Sequence, residues 1–253
     1  MIVGLTLLAA CAGGASPAPI PAPAIAPPLQ ETALNLELST PADLPGAAEA
    51  WAKLPPDGVL TLTLRAPLTG GSLTLDDPFG TTGPHVILEG GGFAWKGGSV
   101  AIRGSALSVR DLVLDDTSLS LGVVGSARIE RVALLSSRVP ETGGSHSEQL
   151  ALQVRGLAPG AGLTVTDSVI ATLAPGAAFR LTSAIPLAFE GSVLAGGVEV
   201  RGAAGDPAPV VRSGAVIGTG KGLILDPGAV LRPWDGAVPW AAAARARDLA
   251  AVR

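Results

Sequence analysis

The sequence predicts an all-β solenoid, and two observations carry that prediction. The first is a loosely repeated two-strand phrase from about Val86 to Leu231, in which a short alternating strand meets a Gly or Ser and a second alternating strand follows. Ser99-Val-Ala-Ile-Arg-Gly followed by Ala106-Leu-Ser-Val-Arg-Asp-Leu-Val-Leu is one instance; Ser118-Leu-Ser-Leu-Gly followed by Ala127-Arg-Ile-Glu-Arg-Val-Ala-Leu-Leu is another. A period of about 20 to 25 residues with strand-type alternation belongs to coils that bury their apolar residues only against their neighbours. The second observation is composition. Hydrophobic residues make up 47% of the 253-residue chain, but aromatics only 3%, with no Tyr, so Ala, Val, Leu and Ile must build the core in stacked rows. With 34 Gly and 22 Pro, a turn is available every few residues, which favours many short strands over long helices.

Taken in order, residues 1–11 read MIVGLTLLAAC, and Leu8-Ala9-Ala10-Cys11 resembles a bacterial lipobox. That resemblance implies a lipidated Cys11 as the mature N-terminus and a partner in the membrane, with the outer membrane or cell surface as the location and a periplasm-facing placement as the alternative. Cys11 is the single cysteine, so it has no internal disulfide partner. The other reading of this leader is an apolar segment that carries a Cys by chance. Residues 12–33 are rich in Pro and Ala and read as an extended tether of about 3.1 Å per residue.

Residues 34–238 are the expected folded domain. Leu34-Asn-Leu-Glu-Leu alternates as a first strand; Asp43 then caps a short helix with Ala47, Trp51 and Leu54 on one face. Pro55-Pro56-Asp57-Gly58 ends that helix, and Val59-Leu-Thr-Leu-Thr-Leu begins the strands. This succession resembles the N-terminal cap and first coil of the right-handed parallel β-helix proteins, the pectate-lyase-like superfamily. The resemblance implies a right-handed parallel β-helix of about seven coils, with an amphipathic helix covering the exposed end.

The coils superpose in sequence. Val109-Arg-Asp, Ile129-Glu-Arg, Val165-Thr-Asp, Phe189-Glu-Gly and Val211-Arg-Ser form one column, spaced by 20 (109 to 129), 36 (129 to 165), 24 (165 to 189) and 22 (189 to 211) residues. The long interval carries an excursion from Ser136 to Gln149. A β-sandwich with regular hairpins is the rival fold, and Asn-Gly or Asp-Gly hairpin signals are nearly absent between the strands. Residues 239–253 are Ala-rich with Pro239 at the start, and predict a C-terminal helix that closes the last coil.

Chemistry is sparse. A net charge of −4 with dispersed Lys and Arg excludes a nucleic-acid stripe. The superposed column places Asp111, Arg131 and Asp167 on successive coils, either as an ion-pair ladder or as weak catalytic candidates. His146, in the polar excursion near Glu141 and Glu148, is a further acid–base or metal candidate. Asp115-Asp116 offers turn residues or a weak Ca²⁺ site. Phe93 and Trp95, flanked by glycines, offer either core filling or an aromatic platform for a sugar. The expectation is a membrane-tethered, non-enzymatic envelope scaffold or binding module; the alternative is a polysaccharide lyase or hydrolase, the activity that the family resemblance implies. A polysaccharide or other envelope component is the expected ligand.

Overall fold

The computed structural model describes residues 32–76, 83–136, 151–156, 158–172, 178–183, 185–201 and 205–233. The chain divides into two units, residues 1–30 and 31–253, and every described residue lies in the second. Its paired strands are parallel and stack in three columns, which rules out the antiparallel sandwich. The first column contains β1 (Ala33–Leu38), β2 (Val59–Leu64), β5 (His85–Glu89) and the second halves of β7 (Ser99–Arg110) and β9 (Ser118–Glu130). It continues through β12 (Gly162–Thr166), β15 (Leu187–Glu190), β17 (Val210–Arg212) and β19 (Ile224–Leu225).

The second column stacks β3 (Leu68–Thr69), β6 (Ala94–Lys96), β8 (Val113–Asp115), β10 (Ala133–Ser136) and β13 (Val169–Thr172). The first halves of β16 (Val193–Arg201) and β18 (Ala215–Lys221) follow, then β20 (Val230–Arg232). The third column stacks β4 (Ser72–Leu75), the first halves of β7 and β9, β11 (Ala151–Gly156), β14 (Ala178–Ser183) and the second halves of β16 and β18.

The alternation seen in sequence becomes a buried row per column. Leu60, Val86, Leu107, Ala127 and Leu163 succeed one another inside the first column, and Trp95, Leu114, Leu134, Ile170 and Leu194 inside the second. Each buried Val, Leu or Ile contributes about 1.5–3 kcal/mol before the entropy of ordering it.

Among the described residues one α-helix is present, α1 (Leu44–Lys53). It packs on β4, whose only strand partner among the described residues is β7, so the helix occupies the side of β4 that a preceding coil would cover. Leu44, Ala47 and Trp51 are its buried residues. Asp43 acts differently from the simple cap expected. It closes a 3₁₀ turn (Pro41–Asp43), accepting hydrogen bonds from the backbone N–H groups of Ser39 and Thr40, both at 2.8 Å. Those bonds favour the carboxylate and hold Asp43 below the ordinary aspartate value. The other end of the stack differs: Ile224, Leu225, Val230 and Leu231 on β19 and β20 are the exposed large hydrophobics among the described residues, Leu231 at 60%. The expected C-terminal helix, residues 12–31 of the expected tether and residues 137–149 of the excursion lie outside the described residues, and Ala33, expected in the tether, is the first residue of β1.

Candidate functional site

The superposed column of Asp111, Arg131, Asp167, Gly191 and Ser213 is a column of corners. All five have left-handed backbone, with φ of 55, 52, 47, 57 and 46°. Each ends a first-column strand and turns the chain toward the second column. In this region a Cβ costs about 1–2 kcal/mol, least for Gly and for Asp or Asn, which explains why the column carries two Asp and one Gly. Arg131 Nε and Nη2 donate to Asp111 Oδ1 and Oδ2 at 2.8 and 2.7 Å, and Arg131 also pairs with Glu130. The bonds that Asp111 accepts push the Arg131 guanidinium further above its already high range. Asp167 stands on the next coil, its backbone N–H bonded to Glu190 O at 3.0 Å. A carboxylate held bidentately by arginine is a poor acid or base, so this geometry favours the ladder over the catalytic reading.

A second ladder runs through the middle positions of the superposed column, the residue just before each corner. Register places Glu89, Arg110, Glu130, Thr166, Glu190 and Arg212 one above another at the ends of first-column strands. Arg110 pairs with Glu89, and Arg212 pairs with Glu190 at 3.2 Å and with Asp226 at 3.5 Å. Thr166 separates Glu130 from Glu190, so no two acids are adjacent in this run.

Inside the corners, buried hydroxyls satisfy the backbone that the turn frees. Ser168 Oγ accepts from Val132 N at 3.1 Å and donates to Thr166 O at 2.8 Å. Ser192 Oγ accepts from Ser168 N at 3.2 Å and reaches the carbonyls of Val165 and Glu190, both at 3.1 Å.

The outer surface of the first column carries a groove. Two hollows, of about 480 and 450 Å³, share Ser126, Ala127 and Thr164. Gly125, Gly162 and Ala188 widen the first; His85, Ser108, Arg128 and Glu190 line the second. The outward row through these hollows reads Ser108, Arg128, Thr164, Ala188 and Val210 on successive strands, so small side chains lie on both sides of Arg128 while the ladder stands along one side. His85 (β5) and Glu190 (β15) are separated by four strand spacings, about 19 Å. Charged groups are thus strung along the groove, which suits an extended ligand better than an acid–base pair acting on one bond. Small side chains were legible in sequence, but the shared surface needed the register.

A smaller cleft of about 200 Å³ lies on the third column between Arg103 and Arg155, whose register position on the intervening strand is Gly122. Asp76 pairs with Arg103 there at 3.3 Å.

The remaining predicted residues separate. Trp95 is fully buried, its indole N–H donating to Gly70 O at 2.9 Å, and Phe93 is partly buried against the same core. A sugar platform requires an open ring face, so of the two readings core filling holds for Trp95, and the platform is withdrawn for it. Asp116 is a left-handed corner (φ 52°), stacked beyond Gly97 (φ 68°) and Gly70 (φ 73°), while Asp115 is 9% exposed. Among the described residues no group of three or more His, Cys, Asp or Glu is placed to hold a metal ion. No described helix is long and apolar enough to cross a membrane. His146 and Cys11 lie outside the described residues. In comparisons with known proteins, no family model, no curated protein and no solved structure matches this chain.

Proposed function

We propose that the protein is a membrane-tethered lipoprotein whose solenoid, a right-handed β-helix of about seven coils, is a non-enzymatic binding module. The ligand is an extended polymer, of which an envelope polysaccharide is the favoured class, seated along the groove of the first column. The observation that carries this reading is the groove itself: small and hydroxyl side chains on successive strands, flanked by His85, Arg128, Glu190 and Arg212 spread along it. The hydroxyls of Ser108, Ser126, Thr164 and Thr166, spread along the groove, offer several weak hydrogen bonds to a chain rich in hydroxyls. The lipobox-like Leu8–Cys11 and the Pro/Ala-rich 12–33 stretch support the tether, at the bacterial outer membrane or cell surface.

Thr164 lies at the centre of the groove, so Thr164→Trp fills it from the surface without touching the core. Titration of the protein with soluble envelope polysaccharide is expected to show about a tenfold loss of affinity in that variant, equivalent to about 1.4 kcal/mol. Equal binding by both forms overturns the assignment of the groove. Cys11→Ser is expected to release the protein from membranes, and retention of that variant removes the lipid anchor.

The second reading, a polysaccharide lyase or hydrolase, has one observation in its favour: Glu190 and Arg128 share a hollow. Incubation with acidic polysaccharide, with and without Ca²⁺, tests it through the appearance of unsaturated or shortened products.

A further inference from the structure

The third column breaks a charge rule that the first one keeps. On the first column each arginine of the ladder has a carboxylate in register on a neighbouring strand, as Arg110 has Glu89 and Arg212 has Glu190. On the third column the row just beyond Ile102, Leu121 and Val154 reads Arg103, Gly122 and Arg155 on β7, β9 and β11. Those three neighbours are buried, so by strand alternation the row itself faces outward. Two cations therefore stand two strand spacings apart, about 10 Å, with no acid in register between them. Asp76, which follows β4, pairs with Arg103 at 3.3 Å from the opposite side and fixes its guanidinium. Arg155 is exposed, and among the described residues no carboxylate pairs with it.

Gly122 keeps the gap open. Glycine weakens a strand interior, and its usual reasons there are a bulge, a left-handed angle or a close approach. Gly122 has no left-handed angle, unlike Gly70 and Gly97, and it stays in register with both arginines. The register shift between β7 and β9 falls later, between Gly104 and Ala106. What remains is the missing side chain, since any other residue would project between the two guanidinium groups.

The cleft at this place, of about 200 Å³, also takes in Ser120 and Gln153, each two residues before its row and hence on the same face. Its size suits one charged group, where a drug-sized ligand needs about 300–1,000 Å³. Two guanidinium groups, a hydroxyl and a carboxamide can donate into it, against the single carboxylate of Asp76. Shape narrows the class further. A tetrahedral oxyanion presents oxygens on opposite sides, so two arginines rooted about 10 Å apart can each take one edge through bonds of about 2.8 Å. A planar carboxylate has both oxygens on one edge and satisfies a single arginine.

We propose that the third column carries an anion site, in which Arg103 and Arg155 clasp a phosphate or sulfate group across the gap left by Gly122, with Ser120 and Gln153 as further donors. The site lies on a different column from the groove and does not depend on the polymer reading.

The test is an NMR titration of the full chain carrying Cys11→Ser, with inorganic phosphate and sulfate added separately at constant ionic strength. Amide shifts of Ser120, Gly122 and Arg155 are expected to saturate. The tighter of the two ions is expected to bind at least about tenfold more tightly than acetate. Arg155→Gln is expected to weaken that ion by at least about tenfold. Gly122→Val is the sharper variant. Valine suits an outward strand position, so its thermal melt is expected at or above that of the parent while binding is lost. Shifts that do not saturate, acetate bound as tightly, or binding undiminished in either variant overturn the site. The hexose ester of the tighter ion separates the sources. Equal affinity assigns the site to an esterified group on a larger molecule, and exclusion of the ester assigns it to the free ion.

Discussion

At the residue scale, the corners dictate what each position tolerates. A Cβ built on Gly214 lies 2.3 Å from Ser192 O, a backbone atom that cannot swing aside, whereas one on Gly97 meets nothing within 4 Å but sits at φ +68°. Gly97→Ala therefore costs only its left-handed backbone, about 1–2 kcal/mol. Gly214→Ala forces the stacked coils apart, and urea unfolding is expected to rank it as the more damaging of the two. Ser192→Ala removes the acceptor of the Ser168 N–H and leaves that donor buried. The expected loss is about 1–3 kcal/mol, read by the same titration. Asp43 has a depressed folded-state pKa, so its contribution is present above the unfolded aspartate value of about 4 and is lost as pH falls through the folded one. Asp43→Asn is expected to flatten the acid limb of the stability–pH curve, measured by thermal melts below about pH 4.

At the element scale, the strands and the capping helix were legible in sequence because period-two alternation and an i, i+4 apolar face are local signals. Trp51 shows what lay beyond them. Its ring is buried under α1 as expected, yet its indole nitrogen has no hydrogen-bond partner among the described residues. Trp51→Phe is expected to be nearly neutral, while Trp51→Ala opens the end of the stack and costs about 3–5 kcal/mol; differential scanning calorimetry separates the two. Trp95 was ambiguous for a related reason: glycines on both sides read equally as exposure or as corners, and only the stacking of Gly70 and Gly97 decides for corners. The column of Asp111, Arg131 and Asp167 was read by its side-chain chemistry, as an ion-pair ladder or as catalytic candidates. What recurs there is a backbone angle, and Asp and Gly were its trace in the sequence.

At the scale of the whole molecule, the superposed column already carried the first-column register from 109 to 211, ladder positions included; what the sequence did not show is which rows face outward together to make the groove. Residues such as Ser126, Thr164 and Ala188 are unremarkable singly and make a surface only when stacked. The two ends of the stack also differ, with α1 closing one and β19 and β20 leaving apolar side chains open at the other.

The Thr166 interruption of the charge ladder has a consequence for how such a chain can be rearranged. The corners and apolar rows would allow any coil to be removed in phase, but the ladder gives each coil an address. Excising residues 131–166 joins Glu130 to Asp167 and keeps a corner of the same type, yet it sets Glu130 against Glu190 at about 5 Å. Excising residues 167–190 joins Thr166 to Gly191 and sets Thr166 harmlessly against Arg212. The two acids brought together raise each other's pKa in the folded state, so that their repulsion grows as pH rises through that value. The first deletion is expected to gain stability on acidification through the carboxylate range, and the second to show no such gain. Thermal melts across pH read the difference. Coils in this solenoid are alike in shape and unlike in place, so duplication or loss of a coil is filtered by its neighbours' charges before its fold is tested.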